Sequence, residues 1–286
     1  MNASCAPIGV FDSGVGGLSV LIALRFELPR EDFIYIADSA HAPYGERDEA
    51  YVIARSKAIT AHLVSQNIKA LVIACNTATA AVIDLLRAEY PLLPIIGVEP
   101  ALKPAVALSK TGHVAVMATR STLGSARFKA LMVAQKGLAH VRVAPCDGLA
   151  DAIERSAITQ NATEIIAICA RITCGIGHFG NQKGHIDTLV LGCTHYPFAA
   201  AHLRALVGPD VQLLDSGEAV ARQTRRQLEK AGALVASPEL ALNMTAKGNI
   251  HLFSTGQTDL LQAAARHWLE LEGSELSKIR SESLYF

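Results

Sequence analysis

The sequence predicts an α/β protein with two doubly wound parallel sheets, related by an approximate two-fold axis and facing one another across a cleft. Three observations carry the prediction. Eight short apolar runs alternate along the chain with longer stretches of helical period. The runs are continuously apolar rather than alternating, which marks strands covered on both faces, as helices cover a parallel sheet. Two segments also recur: "FDSGVGGLSVL" at 11–21 is echoed by "LLDSGEAVARQ" at 213–223, and "IACNT" at 73–77 by "LGCTH" at 191–195. Eight such strands also fit one barrel, and periodicity does not separate the two architectures. The repeat favours two sheets.

Taken in order, the first strand is "IGVF" from residue 8, followed by Asp12 and a glycine-rich turn that opens a helix. "FIYIA" at 33 is the second, leaving through the polar loop "ADSAHAPYGERD" at 37–48, where proline and glycine mark turns. "LVIA" at 71 and "PIIG" at 94 come next, and then the turn Gly97-Val98-Glu99-Pro100, an expected crossing between halves. Beyond it "VAVMA" at 114, "VRVA" at 141, "TLVLG" at 188 and "VQLL" at 211 supply four more strands, with a second expected crossing at Gly208-Pro209-Asp210. From about Ala236 the chain adds "NIHLFSTG" and the amphipathic "LLQAAARHWLELEG", read as a strand and a closing helix. Neither carries legible chemistry.

At 286 residues the chain suits about two domains by the rule of roughly 150 residues each. Half of it is hydrophobic and 18% charged, yet no apolar run nears the ~18 residues of a membrane span. Basic and acidic residues both number 26, so no positive field gathers phosphate backbones or acidic lipid. Neither nucleic acid nor membrane is an expected partner. Met1 to Pro7 lacks the charged and apolar regions of a signal peptide, and the expected location is the cytoplasm. The six cysteines, at 5, 75, 146, 169, 174 and 193, form no C-x-x-C pair and read as free thiols in a reducing compartment.

The loop "FDSGVGG" invites a phosphate-binding reading. It fails the stricter test, because its spacing is G-x-G-G, no Lys-Ser or Lys-Thr follows, and Asp12 would repel phosphate. The plainer reading is a tight turn with Asp12 capping the helix; Asp12 can also serve as a base or anchor an ammonium group. In the loop after the second strand, Asp38, Ser39 and His41 read as turn residues, whereas Tyr44 and Gly45 suit gripping a small polar ligand. A lone free cysteine is more often a small buried hydrophobe than a nucleophile. Cys75 and Cys193 read otherwise as a pair, since each ends a strand, opens a helix whose positive end lowers a thiol pKa, and precedes Asn-Thr or Thr-His. Zinc would want four ligands at chelating spacings, and none stand out; no metal is expected. A cysteine hydrolase would leave the second thiol unexplained. Two equivalent thiols suit removing a proton from one face of a carbon and returning one to the other.

These motifs, "FDSGVGGLSV", "ADSAHAPYG", "ACNTATA", "GVEPALKPAV", "LGCTHYPF" and "LDSGEAVA", occur in one order over most of the chain, which thereby resembles the glutamate racemases of the aspartate/glutamate racemase superfamily. The resemblance implies cofactor-independent racemisation of glutamate, supplying D-glutamate for peptidoglycan. It implies a discontinuous first domain, 1–97 plus 213–286, around a second at 98–212. It implies Cys75 and Cys193 as the acid/base pair, Cys75 acting on the D enantiomer and Cys193 on the L, with Asp12 beside the first and His195 beside the second. Substrate contacts would come from Asp12, Ser13, Tyr44, Gly45, Asn76, Thr77, Thr194 and His195. Glu154 matches a family glutamate in a segment of poor agreement, and Thr119 follows Ala118 where the family carries glycine. The expected partner is the small-molecule substrate, glutamate, with no cofactor; the sequence leaves the oligomeric state open, a homodimer included. A racemase of aspartate, or a two-lobed amino-acid-binding protein, stands as the alternative.

Overall fold

Among the described residues of the computed structural model, 5–235, 248–269 and 281–283, ten strands form two parallel sheets. The first half of the chain contributes β1 (Ile8–Asp12), β2 (Phe33–Ala37), β3 (Ala70–Ile73) and β4 (Ile95–Gly97), in the spatial order β2-β1-β3-β4. The second half contributes β5 (His113–Ala118), β6 (His140–Pro145), β7 (Thr188–Leu191) and β8 (Gln212–Leu214), in the order β6-β5-β7-β8. Both halves therefore follow one strand permutation. Late in the chain β9 (Ile250–Ser254) and β10 (Ser281–Ser283) extend the first sheet beyond β2 to six strands. Of the expected closing segment "LLQAAARHWLELEG", α11 (Thr258–Trp268) covers the first part, and its last four residues, 270–273, lie outside the described residues.

Continuous apolarity has its reason in the packing. On β1, Ile8 and Val10 face α1 (Leu18–Glu27), α10 (Gly217–Lys230) and α11, while Phe11 points the other way toward α2 (Glu49–Ser65) and α3 (Asn76–Glu89). On β7, Leu189 and Leu191 pack toward α7 (Leu149–Thr159), α8 (Thr163–Ile176) and α9 (Ala200–Val207). Val190, between them, packs toward α4 (Leu102–Leu108) and α6 (Ala126–Ala134). Each such side chain, fully removed from water, contributes about 1.5–3 kcal/mol before the entropy of ordering it is counted. The strand "VRVA" departs from the pattern: β6 is an edge strand, and Arg142 and Val143 on it are exposed. Edge position leaves it fewer covering elements than a central strand.

The common permutation makes β3 and β7 equivalent, so the recurrence of "IACNT" in "LGCTH" is a true structural correspondence. The echo of "FDSG" in "LDSG" is not, because the first follows the leading strand of its sheet and the second follows the last strand, β8. The expected return at 212/213 falls inside β8, where Leu213 and Leu214 still pair with Leu189 and Val190. The chain goes back through Asp215 and Ser216 into α10, which packs on α1. Register then fixes the functional edge. Ala74 N–H bonds to Phe11 and Asp38 N–H to Asp12, lining up the carboxyl ends of three strands of the first sheet, and Gly192 and Cys146 N–H bond to Met117 and Ala118 in the second.

Candidate active site

Cys75 caps α3 in extended conformation, its sulfur accepting from Ala78 N–H at 3.4 Å and lying 3.7 Å from Ser13 Oγ. Burial, with the Asp12 carboxylate next, pushes its thiol well above the usual range, and the helix end works against them. Cys193 follows β7, and its sulfur stands 3.6 Å from His195 Nδ1. The other ring nitrogen, Nε2, is 2.9 Å from Glu154 Oε1, brought in by α7. Burial alone would depress the His195 pKa; the Cys193 sulfur and the Glu154 carboxylate outweigh it and hold the imidazole well above its ordinary value. The second sulfur thus lies beside an imidazole whose protonated form is favoured.

The loop between β1 and α1 reaches across to this pair. Glu154 Oε1 also accepts from Val15 N–H at 3.1 Å, Ser19 Oγ donates to the Thr194 carbonyl at 2.7 Å, and Thr194 Oγ1 lies 3.5 Å from Asp12 Oδ1. Such closeness explains the glycines. A Cβ on Gly14 would stand 2.0 Å from Glu154 Oε1, and one on Gly16 2.3 Å from His195 Nδ1. Neither has a positive φ, so close approach rather than turn geometry demands them. Asp12 Oδ2 accepts from Gly17 N–H at 2.8 Å, at the start of α1, as a cap would, but from five residues away. Burial raises its carboxyl pKa, while His195 and the Gly17 N–H pull it down.

Asn76, buried on the first turn of α3, has an Nδ2 with no hydrogen-bond partner among the described residues. A buried donor left this way costs about 1–3 kcal/mol, which a ligand carboxylate would recover. Thr77 Oγ1 meets Thr119 Oγ1 at 3.2 Å, joining α3 of one sheet to the end of β5 in the other. A cavity of about 170 Å³ lies between the loop after β2, with Ser39, Ala42 and Pro43, and the start of α7, with Ala150 and Asp151; Ser13, Glu154 and His195 also line it. Burial pushes the thiols of Cys146 and Cys169 up to about 12 and about 11.

A family model described as Asp/Glu/Hydantoin racemase matches residues 21–224. The chain belongs to that family. A glutamate racemase from Ectopseudomonas mendocina is 47% identical over 87% of this chain and 92% of its own. Among solved structures, a glutamate racemase isoform from Bacillus anthracis superposes with a TM-score of 0.82 at 28% identity, covering 99% of this chain and 98% of that one. The Escherichia coli glutamate racemase, solved with L-glutamate and the activator UDP-MurNAc-Ala, gives a TM-score of 0.80 at 27% identity over 98% of this chain and all of that one.

Placed in this racemase fold, Asp12, Ser13, Asn76, Thr77, Thr119, Glu154, Cys193, Thr194 and His195 come together with Cys75 where the two sheets' carboxyl edges meet. Gly45 joins them, since a Cβ there would stand 3.1 Å from Thr119 Cβ. The Tyr44 phenol, expected to grip a ligand, donates to Asp38 Oδ2 at 2.5 Å. Asp38, read from sequence as a turn residue, is fully buried and collects donors from Arg55 and Thr255 as well. The available signal was an acidic residue ending a fully apolar strand just before Pro-Tyr-Gly. Arg55 and Thr255 sent none, because their partner is 17 and 217 residues away.

Proposed function

We propose that this racemase interconverts L- and D-glutamate without a cofactor, through proton transfer between the α-carbon and the two thiols. The observation that carries the reading is the placement of Cys75 and Cys193 on equivalent strand ends of two sheets that meet there, each with its own polar partner. With L-glutamate, the Cys193 thiolate beside the His195 imidazolium takes the α-proton, and the Cys75 thiol delivers one to the opposite face. The roles reverse for the D enantiomer. In the transition state charge develops on a carbon next to a carboxylate, and preorganised donors must stabilise it. Asn76 Nδ2 and the hydroxyls of Ser13, Thr77 and Thr194 supply such donors, and Asp12 receives the ammonium, whose charge favours the ionised carboxylate.

The proposal includes a hinge. Ser216 Oγ donates to the Glu99 carbonyl at 2.5 Å, tying one crossing to the other, and the division of the chain around 98 and 214 follows those crossings. Closure would expel water and strengthen every contact inside. In the cell the reaction would run in the cytoplasm and provide D-glutamate for peptidoglycan; among the described residues no helix is long and apolar enough to cross a membrane. The test is to incubate purified protein with L-glutamate, no cofactor added, and follow optical rotation. Decay to zero, with L-aspartate unchanged, is the expected result. Decay of L-aspartate alone would move the specificity, and thiol alkylation that spares binding where no turnover exists would leave an amino-acid-binding protein.

A further inference from the structure

The turn Tyr44–Glu46 is a short 3₁₀ helix at the edge of the cleft, between the cavity lined by Ala42 and Pro43 and the Thr119 side chain. Pro43, at the head of the turn, lines that cavity with Ser13, Glu154 and His195, and Gly45 lies against Thr119, so the turn forms one wall of the cleft. What holds such a short turn in place lies behind it. Asp38 Oδ2 accepts from Tyr44 Oη and from Arg55 Nε at 3.1 Å, and Oδ1 accepts from Arg55 at 2.8 Å and from Thr255 Oγ1 at 2.7 Å. Thr255 Oγ1 also accepts from Ala40 N–H at 3.3 Å, and Thr255 N–H bonds to the Ala37 carbonyl. The neighbouring Gly256 lies so close that a Cβ there would stand 3.0 Å from Ala40 N.

We propose that Thr255 and Arg55 are positioning residues for substrate binding: through Asp38 they fix the Tyr44–Gly45 turn against the cleft, so the late segment containing β9 completes the substrate site without touching substrate. This rests on the glutamate reading above. Four chain segments meet at one buried carboxylate, β2's end, the turn, α2 and the end of β9. Tyr44 reaches that carboxylate only when the turn is in its observed place, so each donor lost from the other side loosens the turn. Asp38 is itself held ionised below its ordinary pKa by Arg55, Tyr44 and Thr255, against its burial.

Thr255→Val keeps the side-chain shape and removes the hydroxyl; Thr255→Ser restores it. With the wild type first shown to racemise glutamate, Thr255→Val should raise KM by roughly 3- to 10-fold, the worth of about one buried hydrogen bond, with kcat changed much less. Thr255→Ser should return KM to near the wild-type value. Arg55→Lys, which keeps charge but loses the two-pronged contact, should move KM the same way. A merely structural role would lower the melting temperature and leave KM alone. Unchanged KM in a folded Thr255→Val protein overturns the proposal; should that variant not fold, unchanged KM in Arg55→Lys overturns it instead. A wild type inactive on glutamate would sink the functional reading, a distinct outcome.

Discussion

Cys75 and Cys193 end topologically equivalent strands, yet their surroundings differ. Around Cys75, burial and the Asp12 carboxylate hold the proton on the thiol, against the helix N–H of Ala78 and the Ser13 hydroxyl, which favour the thiolate. Cys193 has His195, which Glu154 holds from behind and whose own pKa is raised. The fold supplies two sulfurs related by symmetry; the loops supply the asymmetry. The proposed reaction, which removes a proton on one face and adds one on the other, needs one thiolate and one thiol at a time, and unlike surroundings suit unlike roles.

Replacing either sulfur is the strongest way to break the comparison. Cys75→Ala and Cys193→Ala should each lose racemisation in both directions by ~10³-fold or more, in keeping with the loss of an acid/base group. In deuterium oxide any remaining α-exchange should retain configuration, favouring D-glutamate for Cys193→Ala and L-glutamate for Cys75→Ala, as NMR of the α-proton will show. Racemisation near the wild-type rate in either variant would send the search for a base to Asp12, Glu154 or His195.

His195→Asn sharpens the comparison, since it touches one side only. Two enantiomers are equal in free energy, so kcat/KM must fall equally in both directions, by roughly 10²-fold for a lost acid/base partner. The asymmetry should appear instead in stability. His195 has a folded pKa raised above 6.5, so the stability it contributes is fully present below that pH and is lost as pH rises through the folded value. Thermal melts should therefore show the largest gap between wild type and His195→Asn in mild acid, closing toward alkaline pH. A gap that widened with pH would contradict the imidazolium assignment.

Gly16→Ala places a methyl against the His195 ring, whereas Gly14→Ala meets only the far end of the Glu154 side chain. A ring shifted by about 1 Å can cost up to ~10²-fold in kcat/KM, and the flexible carboxylate should cost less. Steady-state kinetics on the two variants give the order. The smallest catalytic effect is expected at the opposite edge of the second sheet, where Asp187 accepts from Ser109 Oγ at 2.6 Å and from the Lys110 and Thr111 N–H groups. Asp187→Ala should destabilise by about 1–3 kcal/mol in denaturant melts and leave kcat within twofold. A large loss of kcat there would mean that the two edges are coupled.

Much of this was legible in the chain itself. Continuous apolar runs at strand length announced covered parallel strands because both faces of such strands pack, and the place where each run breaks into Cys-Asn-Thr or Cys-Thr-His marked the ligand edge, because strands of a parallel sheet all end there. Those are local properties, written within ten residues. What only the tertiary structure decided depends on residues far apart in sequence. Gly14 and Gly16 look like a turn and prove to be clearance for Glu154 and His195, 140 and more residues later. Asp38 looks like loop polarity and is a junction for Arg55 and Thr255. Periodicity records which face of an element is dry; it holds no record of which distant side chain will lie against it, and those contacts give each sulfur its surroundings.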